Sequence, residues 1–477
     1  MIQFLLNGEW ITESDLDPNL SILRYLRTKK GLSGTKEGCA SGDCGACTVL
    51  LGEAGRGEDG KAGYTAVNSC ITLLGAAHGK HIVTVDGLNT GETIHPVQQA
   101  MVENHASQCG FCTPGIVMSL VGLREGQSSC TREDTLSALS GNLCRCTGYR
   151  PIIDAAAASF KLPDNHNVIN TTPDWQVPKQ EGIAGLQHQH SRLFVPTTEA
   201  ELQSLLQDYP QARFVAGATD LALEFTQQYK TIDCLISLSD VKELCECAET
   251  DNALHIGGAA SYSRVMPWLN TWYPQVVELF ERIGSRQIRN RGTIGGNIAN
   301  ASPIGDTPPV LLALDASVEL ASVGSTRVVA LKEFFLDYKK TQLQAGEYIR
   351  RIMIPKPASN TQLKLYKVSK RFEDDISAVM AAFYFVMDGQ QITEVRLAFG
   401  GMAAIPKFAE HAQAILQGSE LNQASIEAAM TAMQKDFSPL TDVRASGAYR
   451  LKAAQNLLHK AYLEMSQIIS GGVFDHA

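Results

Sequence analysis

The sequence lacks the features that would place it in three common classes of protein. No run of apolar residues reaches the length of a membrane span, and the first residues carry neither the basic segment nor the long apolar core of an export signal. Positive charge is also scarce: the 477 residues contain 41 Lys and Arg against 50 Asp and Glu, which gives a formal net charge of −9. A general nucleic-acid binder needs a basic face, so we expect a cytoplasmic enzyme.

Cysteine, by contrast, is abundant and unevenly distributed. Nine of the twelve cysteines lie before residue 147. In a reducing compartment, clustered thiols more often bind metal or carry out redox chemistry than form disulfides. The composition therefore divides the chain into a cysteine-rich front and a larger remainder with little cysteine.

The first group of cysteines has the spacing of a plant-type ferredoxin. Cys39, Cys44 and Cys47 are spaced C-x4-C-x2-C, and Cys70 follows further along the chain. The pattern is typical of a 2Fe–2S site, in which each iron takes two thiolates, and glycines between the cysteines let the loop wrap closely around a cluster. A zinc site formed by Cys44, Cys47 and a distant pair is the alternative, but zinc sites rarely add a cysteine five positions ahead.

A second group consists of Cys109-x2-Cys112 and, after a helical stretch, Cys144-x-Cys146. Two cysteines separated by one residue supply neighbouring positions of one cluster more easily than two positions of one tetrahedral zinc. Beside the first group, this set predicts a second redox centre, because two adjacent centres form a path for single electrons. We interpret the other four cysteines as buried or surface thiols: Cys130, Cys234, Cys245 and Cys247.

The periodicity of the front third changes near residue 90. Before it, an Asn7-Gly8 hairpin turn and a helix near 21–30 indicate a small α+β unit. After it, helical periodicity dominates, with Thr131 expected to cap one helix and Pro151 to lie in the first turn of another.

The rest of the chain begins with residues 161 to about 190, which show no sustained period and are interpreted as a linker. Short β-like runs then alternate with helical stretches, as in an α/β domain. Further on, apolar runs on either side of Asp388-Gly389 predict a hairpin with a slightly enlarged turn. The tail from about Lys407 is expected to be helical.

Two glycine-containing turns in this rear part are candidates for holding a pyrophosphate. Phe214–Leu221 is a strand that runs into a turn of small residues, and Thr293–Asn297 is a second tight glycine turn. Exposed backbone N–H groups in such turns hold phosphate groups. Taken alone, each segment is equally consistent with an ordinary structural loop.

Three segments resemble the xanthine oxidase family of molybdenum hydroxylases: 38–47 (GCASGDCGAC), 108–115 (QCGFCTPG) and 141–149 (GNLCRCTGY). In that family a plant-type cluster domain is followed by a four-helix domain with a second cluster. The resemblance implies two 2Fe–2S clusters, one held by each group of four cysteines. It also places Gln108 near the pterin of a molybdenum cofactor on a neighbouring polypeptide or domain.

The resemblance covers most of the chain and implies a multidomain α+β fold. We expect a plant-type 2Fe–2S ferredoxin domain of the β-grasp type, a four-helix 2Fe–2S domain, an α/β FAD-binding domain of the vanillyl-alcohol oxidase type and a C-terminal α+β cap domain. The expected boundaries, with the linker between the second and third domains, are 1–82, 83–160, 161–190, 191–358 and 359–477.

The resemblance also assigns contacts with FAD. Where vertebrate members place an aromatic residue near the flavin, this sequence has Ile283. Lys367 belongs to a charged segment, 366–375, for which a solvated turn is the alternative interpretation. Tyr338 is assigned to the nicotinamide side, where it would stack on the ring of NAD. The residues assigned to FAD are Phe214, Val215, Ala216, Gly217, Ala218, Thr219, Asp220, Leu221, Ile283, Thr293, Ile294, Gly295, Gly296, Asn297, Asp306, Ile349 and Lys367.

The implied activity is electron transfer during the oxidation of hypoxanthine and xanthine to urate. Longer members of the family continue with molybdenum-cofactor domains, and this sequence ends at Ala477, so we expect substrate oxidation on a partner subunit and no catalytic acid or base in this chain. The resemblance implies that electrons pass through the two clusters to FAD, which reduces NAD. It also implies a heterodimer with the molybdenum subunit that assembles into a heterotetramer.

Three other functions remain open at this point. The chain could be the redox subunit of another molybdenum hydroxylase that acts on an aldehyde or an N-heterocycle. It could be a free-standing electron-transfer or assembly protein. A zinc scaffold is the third possibility, and it predicts a colourless protein.

Overall fold

The computed structural model of the protein describes residues 1–57, 62–89, 94–164, 169, 172, 175–178 and 180–468. These residues form two compact units. The first contains Met1–Cys245, Ser261–Ser263 and Gly284–Thr293, and the second contains Glu246–Ala260, Arg264–Ile283 and the chain from Ile294 onwards. Both units mix helices and strands, which confirms the α+β class. The expected FAD-binding range, 191–358, contributes to both units.

The first unit contains nine strands among its described residues. They are β1 Ile2–Leu6, β2 Glu9–Glu13, β3 Thr48–Glu53, β4 Gly63–Asn68, β5 His81–Val83, β6 Ala184–His188, β7 Ser191–Val195, β8 Arg213–Val215 and β9 Cys234–Ser237. Its first five α-helices are α1 Ile22–Thr28, α2 Pro96–Glu103, α3 Thr113–Glu125, α4 Arg132–Leu139 and α5 Arg150–Ser159. Shorter helical segments are Leu74–Ala77, Val85–Gly87, Ala222–Thr226, Lys242–Cys245 and Arg286–Arg289, and one longer helix is Glu199–Asp208.

The N-terminal strands form one mixed sheet in the order β2-β1-β5-β3-β4. The turn between β1 and β2 has positive φ at both Asn7 (51°) and Gly8 (89°), as an Asn-Gly turn of type I′ requires. Helix α1 packs on this sheet, where the fully buried Tyr25 meets Phe4 edge-on with ring centroids 5.7 Å apart. A five-stranded mixed sheet with one packed helix confirms the expected β-grasp fold.

Helices α2 to α5 form the expected helical domain around a shared apolar core that includes the buried Ile116 and Ile152. Thr131 caps α4 in a reciprocal arrangement with Asp134, and Pro151 lies in the first turn of α5, both as expected from the sequence. One pair of cysteines precedes α3 and the other lies between α4 and α5. The fold therefore holds both pairs in loops at helix ends.

The other strands of the first unit form a sheet in the order β6-β7-β9-β8, in which β9 is parallel to both β7 and β8. Strand β6 lies within 161–190, so this part of the expected linker is a strand instead. Its alternation is short: Ala184 and Leu186 are buried and pair with Val195 and Leu193 of β7. The segment is rich in polar residues, so the alternation of these two apolar residues cannot be recognised from the sequence alone.

Trp175 holds the middle of the linker against the N-terminal sheet. Its side chain is 8% exposed, and its indole N–H donates to the carbonyl oxygen of Gly79 at 2.9 Å. The ring centroid lies 5.6 Å from that of His81 and 6.4 Å from that of Tyr64. The linker is therefore attached to the N-terminal sheet at Trp175, while linker residues 165–168, 170–171, 173–174 and 179 lie outside the described residues.

The second unit contains eleven strands among its described residues. They are β10 Cys247–Glu249, β11 Ala253–Gly257, β12 Ser317–Ser322, β13 Ser325–Ala330, β14 Phe335–Asp337, β15 Lys340–Thr341, β16 Tyr348–Pro355, β17 Thr361–Val368, β18 Val379–Asp388, β19 Gln391–Gly400 and β20 Lys407–Phe408. Its helices are Tyr262–Trp272 (apart from the first two residues), Gln275–Glu281, Ile294–Asn300, Thr307–Ala313, Leu331–Phe334, Glu410–Leu416, Gln423–Asp436 and Gly447–Met465.

Two antiparallel sheets organise the second unit, in the orders β10-β11-β16-β12-β13 and β17-β18-β19-β20. The three C-terminal helices pack on the second of these sheets around buried residues such as Phe383, Phe399 and Leu458. The tail is therefore helical, as predicted, apart from the two-residue strand β20.

The hairpin of β18 and β19 differs from the sequence prediction in one detail. Asp388 pairs directly with Gln391, so its turn has two residues and is not enlarged. The additional residue lies in the strand, where Val386 pairs with Glu394 and Met387 with Ile392. A β-bulge has taken up the extra residue that the sequence assigned to the turn.

Among the described residues, no helix is both long enough and apolar enough to cross a bilayer.

Replacing Trp175 should release the linker. We expect Trp175→Ala to lower the free energy of unfolding by about 3 kcal/mol, because a large buried ring is lost, and to make the 161–190 segment a site of rapid trypsin or chymotrypsin cleavage. Urea unfolding and timed proteolysis with mass spectrometry measure both effects. Val177→Ala, at a side chain that is 41% exposed, is the matched control; equal cleavage of both variants would contradict the anchoring role.

Candidate functional site

The four thiols of the first group come together in the structure. The loop that contains Cys39, Cys44 and Cys47 joins α1 to β3, and Cys70 follows β4. The Cys39 sulfur is within hydrogen-bonding reach of the sulfurs of Cys44 and Cys70, and Cys47 makes the same contact with Cys70. Residues that are up to 31 positions apart in sequence thus form one thiol cluster.

The conformation of this loop depends on positive φ angles and on backbone N–H groups that point inward. Ala40 and Gly42 have φ values of 52° and 85°. The N–H groups of Ser41, Asp43 and Cys44 donate to the Cys39 sulfur at 3.3–3.4 Å. Such donors stabilise a thiolate and tune a cluster that it holds. A side chain at Gly38 would place its Cβ 2.7 Å from the Cys44 sulfur, so this glycine leaves room for the thiol.

Contacts among the thiols move their pKa values in opposite directions. Hydrogen bonding from Cys44, and then from Cys70, lowers the pKa of Cys39, and the hydrogen bond from Cys70 lowers that of Cys47. Hydrogen bonding to Cys39 raises the pKa of Cys44 and of Cys70. A metal that binds thiolates would displace the protons of these thiols.

The second group forms two thiol pairs, Cys109 with Cys146 and Cys112 with Cys144. The Thr147 hydroxyl lies 3.1 Å from the Cys144 sulfur. Burial raises the pKa of Cys112 to about 12, whereas Cys109 and Cys146 are exposed. The structure therefore assembles all eight of the predicted cluster ligands, and it leaves one side of the second group open to solvent.

The two groups fit 2Fe–2S clusters in number and in chemistry. Each consists of four thiols, and a 2Fe–2S cluster is held by four thiolates shared between two irons. Among the residues that the structure describes, no group of three or more His, Cys, Asp or Glu side chains is arranged to hold a metal ion. The fit to 2Fe–2S clusters therefore rests on the number and the type of the donors.

The segment Phe214–Leu221 runs from the end of β8 into a turn, and this turn is held against the backbone of another turn in the first unit. A side chain at Gly217 would place its Cβ only 1.8 Å from the carbonyl oxygen of Arg291. Ala218 has a φ of 63°, and the Thr219 hydroxyl is 3.5 Å from the Cβ position of Gly292. The first predicted FAD segment therefore lies next to Arg291 and Gly292, the two residues that come directly before the second predicted FAD segment.

The residues from Ile294 onwards belong to the second unit and include a buried acceptor without a partner. The Oδ1 atom of Asn297 is buried and accepts no hydrogen bond from any residue that the structure describes. A side chain at Gly295 would place its Cβ 2.2 Å from the carbonyl oxygen of Gly258, so the backbone is tightly packed here. An unsatisfied buried amide oxygen costs free energy, and a bound ligand with a hydroxyl or N–H group would satisfy it.

Asp306 and Lys367 form a buried ion pair in the second unit. Their side chains are 8% and 2% exposed, and the Lys367 Nζ atom lies 2.7 Å from the Asp306 Oδ2 atom. Lys367 also donates to the carbonyl oxygen of Arg282 at 3.1 Å, beside Ile283, and Ser377 donates to the other Asp306 oxygen. The alternative interpretation of a solvated turn is therefore wrong for Lys367.

The remaining predicted contacts have different surroundings. Ile349 lies on β16, and its carbonyl oxygen is 1.9 Å from the Cβ position of Gly258, which again requires a glycine. Tyr338 lies in the turn between β14 and β15 and is 58% exposed. Its ring is available to a ligand from solvent, and its role on the nicotinamide side stays a prediction.

Sequence reasoning missed Gln227, Asn142 and Gln287. The Gln227 side-chain amide donates to the carbonyl oxygens of Cys39 and Ala40 at 3.1 and 3.0 Å. The Asn142 side-chain amide donates to the carbonyl oxygen of Gly45 in the first cysteine loop, and the Gln287 side-chain amide donates to the Asn142 side chain. These contacts span between 97 and 188 positions of sequence, and a single amide residue carries no spacing pattern that would reveal them.

Comparisons with known proteins assign two iron–sulfur domains and two flavoprotein domains, in that order along the chain. Four family models match: a 2Fe-2S iron-sulfur cluster binding domain over 4–75, a 2Fe-2S binding domain over 84–157, an FAD binding domain in molybdopterin dehydrogenase over 188–357 and a CO dehydrogenase flavoprotein C-terminal domain over 364–465. Xanthine dehydrogenase of Drosophila pseudoobscura pseudoobscura is 32% identical over 98% of this chain, and xanthine dehydrogenase/oxidase of Mus musculus is 32% identical over 84% of it.

The chain belongs to the xanthine oxidase family, in its iron–sulfur and FAD-binding part. It spans 39% of the length of the Drosophila relative and 34% of the mouse relative. Among solved structures, a Cu,Mo-CO dehydrogenase chain has a TM-score of 0.53 at 26% identity over 56% of this chain and 94% of its own. Quinoline 2-oxidoreductase from Pseudomonas putida 86 gives 0.53 at 26% identity, over 57% and 95%.

Each thiol group should hold its own cluster. Because every iron needs two thiolates, Cys39→Ser and Cys109→Ser should each lower the iron content from about four to about two atoms per chain. Iron and acid-labile sulfide analysis, with the visible absorption spectrum, measures this change. Cys130→Ser, at a thiol between α3 and α4 that belongs to neither group, is the control and should retain all of its iron. Full iron content in both ligand variants would refute the assignment.

The ion pair of Lys367 should be needed for flavin retention. Lys367→Met leaves Asp306 buried without its partner, which costs about 3 kcal/mol of unfolding free energy, and we expect the purified variant to lose most of its FAD. The ratio of flavin absorbance to protein absorbance and urea unfolding measure the two effects. Lys370→Met, at an exposed lysine of the same charged segment, should keep its FAD; a Lys367→Met variant with full FAD would contradict the prediction.

Proposed function

We propose that this chain is the electron-transfer part of a xanthine dehydrogenase. It would take electrons from a molybdenum centre on a partner subunit during the oxidation of hypoxanthine and xanthine to urate, and deliver them to NAD. The observation that carries the proposal is the assembly of eight thiols into two groups of four, in a chain that also matches an FAD-binding family model. The substrate and acceptor are proposed from the relatives, which are named xanthine dehydrogenases.

The residues of this chain have the task of holding and spacing the cofactors. When bound, iron–sulfur clusters supply one-electron transfer, and FAD exchanges single electrons for the electron pairs that nicotinamide accepts. The first thiol group would hold its cluster in a partly enclosed site, since Cys47 and Cys70 are buried. Its three backbone N–H donors to Cys39 would stabilise the thiolate that holds the cluster. No acid or base of this chain is needed for these roles.

The exposed side of the second group supports a partner at this position. Cys109 and Cys146 are exposed, and two apolar side chains beside them, Phe111 and Leu143, are 49% and 54% exposed. Gln108 lies on the same exposed loop. Exposed apolar residues around a redox site are typical of an interaction surface. We propose that the molybdenum-containing subunit covers this surface and that the heterodimer assembles into a heterotetramer.

Two residues of the range that matches the FAD-binding family model contact the first cysteine loop within the first unit. Gln227 binds the carbonyl oxygens of Cys39 and Ala40, and the Ile288 side chain lies 3.1 Å from the Cβ position of Gly42. Phe111 reaches the first loop from the second group, 3.6 Å from the Cβ position of Gly38. These contacts support an order in which the second group receives electrons first and the first group passes them towards FAD.

A second candidate is the same role in a hydroxylase with another substrate. The solved structures that resemble the chain are named as a CO dehydrogenase and a quinoline oxidoreductase, and the match to a CO dehydrogenase flavoprotein domain agrees with them. In that case the electron-transfer residues of this chain would be unchanged, because the substrate pocket lies on the molybdenum subunit.

Purification with the natural partner tests the proposal. We expect about four iron, four sulfide and one FAD per chain, molybdenum only in a larger polypeptide that co-elutes, and NAD reduction that depends on xanthine. Assays with an aldehyde, quinoline and CO in place of xanthine, at equal enzyme concentration, distinguish the second candidate. Activity with one of these and none with xanthine or hypoxanthine would contradict the proposed substrate, and a chain without FAD or iron would contradict the electron-transfer role.

A further inference from the structure

Buried amide side chains join the two cysteine loops to each other within the first unit. Asn142 is 2% exposed and lies two positions before Cys144. Its side-chain N–H group donates to the carbonyl oxygen of Gly45 at 3.1 Å, and Gly45 lies between Cys44 and Cys47. One residue of the second loop therefore holds the backbone of the first.

Gln287 completes the network from a segment that matches the FAD-binding family model. It is 1% exposed, and its side-chain amide donates to the Asn142 Oδ1 atom at 2.9 Å and to the Ser119 hydroxyl at 3.1 Å. Ser119 in turn donates to the same Asn142 oxygen at 2.7 Å. Ser119 lies on α3, the helix that starts directly after Cys112. Three separate parts of the chain thus meet at Asn142.

The backbone around this network is too close for side chains. A side chain at Gly45 would place its Cβ 2.1 Å from the carbonyl oxygen of Gly141, and one at Gly115 would place it 2.1 Å from that of Gly45. The N–H group of Leu143 donates to the carbonyl oxygen of Cys44 at 3.0 Å. Contacts of this kind leave the two loops little freedom to shift relative to one another.

We propose that Asn142 and Gln287 are positioning residues that fix the separation of the two iron–sulfur sites. The inference rests on the proposed electron-transfer function, since it concerns the distance over which an electron passes between the two sites. Asn142 acts through the backbone of the first loop, at the Gly45 carbonyl oxygen, and Gln287 acts through the side chain of Asn142. The Gln287 Oε1 atom is buried and has no hydrogen-bond partner among the described residues. A buried amide that is only partly hydrogen-bonded lowers the stability of the fold. Positioning of the loops is the role that would offset this cost.

The test uses the full-length chain with its clusters, reduced with dithionite and measured by low-temperature EPR. Two neighbouring paramagnetic clusters split each other's signals by an amount that falls steeply with distance. We expect Gln287→Leu to retain its iron and to show a smaller splitting than the parent chain. Asn142→Leu should show a larger loss of splitting, because it also removes the contact with Gly45.

A matched control distinguishes positioning from general loss of stability. Gln455 is also a buried amide, 9% exposed, and donates to the carbonyl oxygen of Met430 at 2.7 Å in the second unit. Gln455→Leu should lower the unfolding temperature and leave the EPR splitting unchanged. If Asn142→Leu does not fold, Gln287→Leu decides alone, because Gln287 lies outside both cysteine loops.

The outcomes separate this inference from the function on which it rests. Unchanged splitting in both variants, with four iron atoms bound as in the parent, would overturn the positioning role and leave the proposed function intact. Loss of splitting in Gln455→Leu as well would also overturn it, since any buried amide would then have the same effect. A parent chain that contains no iron would refute the proposed function and this inference together.

Discussion

Close contacts between the two cysteine loops hold the iron–sulfur part of the structure together, and one of them joins the Asn142 side-chain amide to the Gly45 carbonyl oxygen across 97 positions of sequence. Gly45 is placed between two cysteines of the first group, and the carbonyl oxygen of Gly141 occupies the space in which a Gly45 side chain would lie. The Leu143 N–H group bonds to Cys44 across the same contact. The β-grasp sheet fixes one loop and helices α3 to α5 fix the other, so the separation of the two thiol groups follows from how these domains dock within the first unit.

The residues predicted to bind FAD are held in place differently in each unit. In the first, the turn at Gly217 is pressed against the Arg291 backbone, an arrangement that only glycine permits. In the second, Asp306 and Lys367 are removed from solvent as an ion pair. A buried pair of this kind adds little stability compared with apolar packing, and its position among the predicted FAD contacts gives a reason for its presence. The free Asn297 oxygen points to the same ligand chemistry.

Much of this arrangement could be predicted from the sequence because it depends on local patterns. The cysteine spacing predicts which eight thiols lie together in two groups, and two or four adjacent residues are enough to predict the Asn7-Gly8 turn and the Thr131 cap. What escaped prediction depends on contacts between distant residues. The strand Ala184–His188 is only five residues long and lies in a polar segment, so its alternation is too short to distinguish it from a linker. The bulge in β19 and the contact of Gln227 with the Cys39 loop appear only when the chain is folded.

We propose above all that this chain holds two 2Fe–2S clusters, one in each of its two groups of four thiols. The most direct test is a Mössbauer spectrum of the full-length chain produced with iron-57, recorded as purified and after reduction. The account predicts that all iron is present as coupled ferric pairs in two distinguishable sites of equal area, and that each pair accepts one electron on reduction. A single site, mononuclear iron, or a chain that contains zinc in place of iron would contradict it.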